Sequence, residues 1–368
     1  MFSRSSSVVV VALFITLPAC NADESALPSA GASTHGASPS AASTSAASTS
    51  SGPDGWAELA IPATAPAPRE DHTWTLTPDG ATAYLFGGRD GATVYDDLWA
   101  YTLATDGWRS VTPSGETPPA RFGHNAVWAS GIGLVIFAGQ GEAGFFGDLW
   151  AYDPASNAWR LLPVDGAAPV SRYGSCGSIG LDGRLWISHG FTSEGQRFAD
   201  TRAYDFETGT WMDETPADDA PVRRCLHACW WTNDGEMILY GGQTTGTVAL
   251  GDRWRLVVGE RPGTNAWTQL QPSGEAPANR NLYAAARWGP VTLVFGGQGL
   301  DGDYLADTWW LADDAATLAL DTGRAAPSAR SGAEMIADTG RGRLMLFGGR
   351  DGQAVFGDLW QLILPASP

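Results

Sequence analysis

From Trp56 onward the apolar residues fall into short runs of strand length, such as Leu134-Val135-Ile136-Phe137. Turn-forming stretches such as Thr77-Pro78-Asp79-Gly80 punctuate them. Short apolar runs bounded by Gly, Pro and Asp predict many short strands and tight turns, not helices. The second of the units they form predicts four strands: A at Arg121 to Trp128, B at Leu134 to Ala138, C at Asp148 to Tyr152 and D at Ala158 to Leu162.

The unit repeats with a period near 52. An aromatic stands 13 positions before an arginine in Trp56/Arg69, Trp108/Arg121, Trp159/Arg172, Trp211/Arg224 and Trp267/Arg280. A sixth arginine, Arg330, has Thr317 at that place. Each arginine is followed by a strand ending in a small pair: Gly87-Gly88, Ala138-Gly139, His189-Gly190, Gly241-Gly242, Gly296-Gly297 and Gly348-Gly349. An aspartate then opens the next strand, at Asp97, Asp148, Asp200, Asp252, Asp307 and Asp358, and five of these six begin Asp-x-Trp. A period of this size means one supersecondary unit per repeat.

The small pair, the aspartate–aromatic strand and the spaced tryptophan together resemble the kelch family, and the resemblance covers roughly 310 residues. It implies an all-β, six-bladed kelch-type β-propeller with four antiparallel strands per blade. The last repeat stops after its third strand, while a lone fourth strand, Trp56-Ala57-Glu58-Leu59, opens the domain. The N-terminal strand should therefore close the ring and remove its open edge. Residues 55–368 are read as this propeller.

The segment before it reads differently. Arg4 followed by the apolar run Val8 to Leu17 is too short to span a bilayer and fits an export signal over residues 1–19. Leu17-Pro18-Ala19-Cys20 resembles the lipobox of bacterial lipoproteins, which implies lipidation at Cys20. The rest of residues 20–54 is almost entirely Ala, Ser, Thr, Gly and Pro, a composition that reads as a disordered tether. The expected location is the bacterial cell envelope, lipid-anchored at the outer membrane or cell surface. Contact with membrane is expected through the anchor only.

With 22 basic residues, all arginine, against 40 acidic ones, the formal net charge of −18 disfavours nucleic acid as a partner. It suits a soluble monomer with low non-specific adhesion.

Residues recurring in every blade belong to the scaffold before any is given a role in chemistry. The six arginines and six aspartates should pair, and the tryptophans should fill space between sheets. His72, His124 and His227 all stand three residues after a repeat arginine and read as core groups, not metal ligands. Cys225 and Cys229, four apart on one predicted strand, cannot bridge each other. Cys176 with Cys229 is the disulfide candidate, leaving Cys225 as a buried thiol.

The B–C and D–A loops share one face of the disc and are the longer, more varied set, so binding is expected there. The candidates are Arg89, Gln140, Gln243, Gln298 and Arg350, each directly after a small pair, with Phe145, Phe146, Glu194, Arg197 and Tyr304 on the rim. Ring closure makes the blades of Arg89 and Arg350 neighbours. The two could receive a carboxylate, a phosphate or sugar hydroxyls, or could pair with Asp90 and Asp351. No catalytic set, metal or cofactor is assigned. The leading reading is a binding module for a protein or carbohydrate ligand. The alternatives are a sugar-active enzyme resembling the sialic-acid mutarotases, through Glu194 and Arg197, and, further off, a copper oxidase of the galactose oxidase type.

Overall fold

A computed structural model describes residues 55–364 apart from 193–194, 218–219, 261–262 and 323–325. The export signal, Cys20 and the tether therefore lie outside the described residues, as does Glu194. Six antiparallel four-stranded sheets make the ring. From the axis outward they are Thr73–Leu76, Thr82–Phe86, Leu98–Thr102 and Gly107–Val111 in blade 1, then Asn125–Ala129, Gly133–Phe137, Leu149–Asp153 and Ala158–Leu161 in blade 2. Blade 3 runs Cys176–Ile179, Leu185–Ser188, Thr201–Asp205 and Thr210–Asp213, with a two-residue parallel strand, Asp165–Gly166, added outside. Blade 4 is Ala228–Trp231, Glu236–Gln243, Ala249–Val257 and Ala266–Leu270. Blade 5 is Ala284–Trp288, Val291–Gln298, Tyr304–Ala312 and Thr317–Leu320.

Blade 6 takes Glu334–Asp338, Arg343–Phe347 and Leu359–Ile363 from the C-terminal end and Trp56–Leu59 from the N-terminal end. Trp56 pairs with Leu362 and Leu59 with Leu359, so the closing strand runs antiparallel along the last one. The chain is an all-β six-bladed propeller closed by its first strand.

The repeat residues explain the blade. Each repeat arginine is almost completely buried. Arg121 donates from both terminal nitrogens to Asp148, at 2.7 and 2.8 Å, and from one of them to the Ala138 carbonyl of the small pair at 3.0 Å. Its Nε donates to the Pro119 carbonyl, so one fork ties the loop entering the inner strand to the end of the second strand and the start of the third. The other five arginines do the same with Asp97, Asp200, Asp252, Asp307 and Asp358. The strand C tryptophans donate their indole N–H to the same aspartates, as Trp150 does to Asp148 at 2.8 Å. A planar fork, a carboxylate and an indole thus satisfy one another at the mouth of five blades, and in blade 3 Arg202 takes the indole's place on Asp200.

Inner strands start four residues after each arginine, later than the sequence predicts, because the chain first turns through a left-handed residue. These six are Asp71, Gly123, Gly174, Leu226, Leu282 and Gly332, with φ between 52° and 65°. Each amide donates to the carbonyl of its counterpart in a neighbouring blade: Asp71 to Gly332, Gly332 to Leu282, Leu282 to Leu226, Leu226 to Gly174, Gly174 to Gly123 and Gly123 to Asp71. The result is a closed ring of six backbone hydrogen bonds around the axis. The turn at Leu226 also takes Cys225 off the strand that the sequence predicts it shares with Cys229. Cys225 instead pairs with Gln243 and is buried.

Next along the inner strands, neighbouring blades are tied by side chains. Thr73 Oγ1 meets His124 Nε2 at 2.9 Å, and Asn125 donates to Ser175 Oγ at 2.7 Å. A disulfide joins Cys176 to Cys229, and Tyr283 donates to the Tyr240 carbonyl. The phase-locked histidines pack between blades, His72 on Phe347 and His124 on Phe86. Burial holds His72, His124 and His227 well below the usual histidine range, so they are neutral packing groups. Apolar side chains of adjacent sheets interdigitate to form the core, as Phe86 and Leu98 of blade 1 do with Leu134 and Trp159.

Candidate functional site

On the loop face, three positions per blade surround the axis. The residue after the small pair bridges both the residue after the repeat arginine and the returning arm of its own hairpin. In blade 1 these are Arg89, Glu70 and Val94. Blade 2 has Gln140, Phe122 and Phe145; blade 3 has Phe191, Tyr173 and Arg197. Blade 4 has Gln243, Cys225 and Ala249, blade 5 has Gln298, Asn281 and Tyr304, and blade 6 has Arg350, Ser331 and Val355. The backbone is shared, so the side chains alone give this face its character.

They divide it into two halves. Phe122, Phe145, Tyr173 and Phe191 form one aromatic cluster, with ring centroids 5.5 to 6.1 Å apart. Guanidinium groups cap it at both ends, Arg89 at 4.1 Å from the Phe122 ring and Arg197 at 5.3 Å from Phe191. The other half is polar and opens into a cavity of about 370 Å³ lined by Arg89, Arg350, Gln243, Gln298, Tyr173 and Leu300.

Four sequence candidates, Arg89, Arg350, Gln243 and Gln298, thus share one cavity. Gln140 and Phe145 face each other beside it, and Tyr304 pairs with Gln298 at its edge. Arg197 donates to Gln243 Oε1 at 3.1 Å and links the two halves. Phe146 belongs to the scaffold instead: it lies 4.2 Å from the Arg121 guanidinium, the place taken by Tyr95, Phe198 and Phe356 against their own arginines.

The two cavity arginines do converge, but not on Asp90 and Asp351. Those aspartates cap their own hairpins, Asp90 through the amides of Ala92 and Thr93 and Asp351 through Gln353 and Ala354. Glu70, only 2% exposed, sits between the arginines instead, with Oε1 3.1 Å from Arg89 Nε and Oε2 2.8 Å from Arg350 Nε. Asp71 Oδ2 accepts from Arg89 at 3.0 Å. Burial, and then the adjacent Asp71 carboxylate, push Glu70 up to about 7 against the pull of both arginines. A strand A that begins at the repeat arginine, as the second unit's pattern predicts, takes in Glu70 and Asp71 and hides them. The signal was there: only blade 1 has two acids after its repeat arginine, where the others read Phe-Gly, Tyr-Gly, Cys-Leu, Asn-Leu and Ser-Gly.

Fold, repeat and loop face define a propeller of the kelch class. The family model described as the KLHDC2/KLHL20/DRC7 kelch-repeats domain matches residues 47–242, and the chain belongs to that kelch-repeat family. It is 27% identical over 243 residues to kelch domain-containing protein 3 of Bos taurus, covering 63% of this chain and 62% of that protein. It is 25% identical over 253 residues to the N-(sulfonatooxy)prop-2-enimidothioate sulfolyase of Thlaspi arvense, covering 63% and 71%. The host cell factor of Drosophila melanogaster is 25% identical over 265 residues, 66% of this chain but 17% of its own length. The match thus spans under two thirds of the first of these relatives. Kelch propellers are typically protein-interaction modules, and this chain shares their fold.

Proposed function

We propose that the chain is an envelope-anchored interaction module that binds a protein partner through the loop face. The single observation that carries this is the division of that face. Blades 2 and 3 offer half-exposed aromatic surface beside a polar cavity, whereas the shared scaffold requires neither. Clustered aromatics flanked by arginine are the composition of interface hot spots. The partner would lay an apolar side chain on Tyr173 and Phe191 and direct an anionic group toward Arg350.

In this reading the signal over residues 1–19 is removed, Cys20 carries lipid and residues 20–54 hold the propeller, residues 55–368, away from the membrane. The Cys176–Cys229 disulfide supports export, since such bonds persist in oxidising compartments.

The test is affinity capture from an envelope fraction with the wild-type propeller, Tyr173→Ala, Arg350→Ala and an exposed outer-strand control, Arg109→Ala. The reading requires one protein retained by wild type and control and lost with both loop-face variants. A glycan captured in its place would turn the site into a lectin. Equal capture by all four proteins would overturn the assignment of this face.

A further inference from the structure

Glu70 stands where an incoming anion would stand. It comes from the loop entering blade 1, and it reaches one arginine on its own blade and one on blade 6, across the seam where the ring closes. Among the described residues Arg350 has no other acidic partner, and at 34% side-chain exposure it opens toward the cavity. The ion-pair distances are short, yet neither Arg89 Nε nor Arg350 Nε makes a well-directed hydrogen bond to the carboxylate. Guanidinium groups bind oxyanions best through a planar, two-pronged approach, which Glu70 does not provide here.

We propose that Glu70 is a proton-linked gate on an oxyanion site formed by Arg350 and Arg89: ionised, it occupies Arg350 and the Nε side of Arg89, whose Nη2 stays on Asp71, and protonated, it yields them to a ligand's carboxylate or sulfate-like group. Ligand binding then takes up one proton, transferred from solvent to the Glu70 carboxyl, with no covalent change. This rests on the loop-face reading above and adds its regulation.

The surroundings place the gate in the neutral range. Asp71 faces Glu70 from the same segment and raises its affinity for a proton, while Arg89 and Arg350 lower it from the B–C loops of blades 1 and 6. Glu334, at the start of the blade 6 inner strand, interacts with Asp71, and Tyr173 of blade 3 interacts with Arg89. Arg69 is engaged with Asp97. With Glu70 titrating at about 7, the gate would respond between roughly pH 6 and 8.5.

Sulfate and acetate serve as probes because both stay fully ionised over that range, so any pH dependence comes from the protein. Binding to the folded propeller is measured by titration calorimetry at fixed ionic strength, at about pH 6, 7 and 8.5. For wild type the affinity should fall by up to about tenfold per pH unit above 7 and level off below it. Glu70→Gln should bind with no pH dependence and more tightly than wild type at the highest pH. Asp71→Asn removes the neighbouring like charge, so the break in the wild-type curve should move to lower pH. A role confined to packing would not produce that shift.

A flat wild-type profile overturns the proposal, and so does a slope retained in Glu70→Gln. Absence of binding to both proteins at about pH 6 overturns it too. A difference between the probes assigns the site to the tetrahedral or the planar anion. Proton-linked anion binding without a captured protein would refute the protein-partner reading alone. Capture without proton linkage would refute this inference alone.

Discussion

Truncating Trp56 to alanine tests whether the ring is closed by energy as well as by topology. Trp56 belongs to the first strand, yet its indole is 2% exposed and packs among residues of blades 5 and 6, including Phe295, Leu344 and Leu362. Its ring meets Phe295 edge-on at 5.4 Å, and Nε1 donates to Thr308 Oγ1 at 3.2 Å. Loss of a buried tryptophan costs about 3 to 5 kcal/mol through transfer and cavity terms. The aromatic pair adds about 1 kcal/mol. We therefore expect destabilisation of about 5 kcal/mol. For a propeller of this length the specific unfolding entropy makes that a fall of roughly 7 °C in Tm. Calorimetry gives the Tm. Hydrogen exchange should show faster opening at Leu359–Ile363, the strand that pairs with Trp56–Leu59. A loss under about 1 kcal/mol with unchanged exchange there would show that closure contributes little, and the reasoning would fail.

Three further outcomes can be checked. Replacing Cys176 and Cys229 together by alanine opens a crosslink spanning 53 residues and should cost about 4 kcal/mol in urea unfolding. Gly123→Ala places a Cβ 2.7 Å from the Tyr173 ring at φ +59°, so it should cost about 2 kcal/mol, whereas Gly80→Ala, at φ +65° with open space around it, should cost about 1 kcal/mol. Stability against pH from these groups should be greatest between roughly pH 4 and 5. Burial raises Glu70 to about 7 and Glu334 to about 8, so their contribution is fully present below the ordinary glutamate value of 4.5 and is lost as pH rises from there to about 7 and 8. Burial also pushes Asp148, Asp200, Asp252 and Asp307 upward, but their arginine forks hold them below the usual value, so their contribution is lost as pH falls through that depressed range. A Tm that rises steadily from pH 6 to about 8.5 would contradict the first half of this balance.

The blades were legible because their determinants recur. A buried arginine needs an aspartate and a carbonyl at fixed distance along the chain, and each of the six repeats has to supply them. Closure was legible by subtraction, from one strand too many at one end and one too few at the other. The cavity was legible in part. Arg89, Gln243, Gln298 and Arg350 could be found because they follow the small pairs, the last recognisable landmark before the loops vary. Glu70, Asp71, Phe122 and Tyr173 could not, because strand-like patterning continues through them. What separates them from the strand is a left-handed turn, and glycine marks that turn in only three of six blades. The partners of Arg350 could not be read at all, since Glu70 lies 280 residues away along the chain and meets it only when the ring is closed.

The axial hydrogen-bond ring sharpens where function sits. All six of its residues adopt a backbone conformation that suits glycine, and at Asp71, Leu226 and Leu282 a larger side chain bears a cost of about 1 kcal/mol each. A scaffold selected for stability alone would place glycine at all six. The three exceptions line the loop-face cavity, where Leu226 and Leu282 give it an apolar floor and Asp71 holds Arg89. Strain is thus retained where side chains are directed at the proposed ligand and absent from the glycine positions of blades 2, 3 and 6. Local rules broken without a packing gain are the expected mark of a binding site in an otherwise regular fold. Here they converge on the same cavity as the two arginines and their proton-linked glutamate.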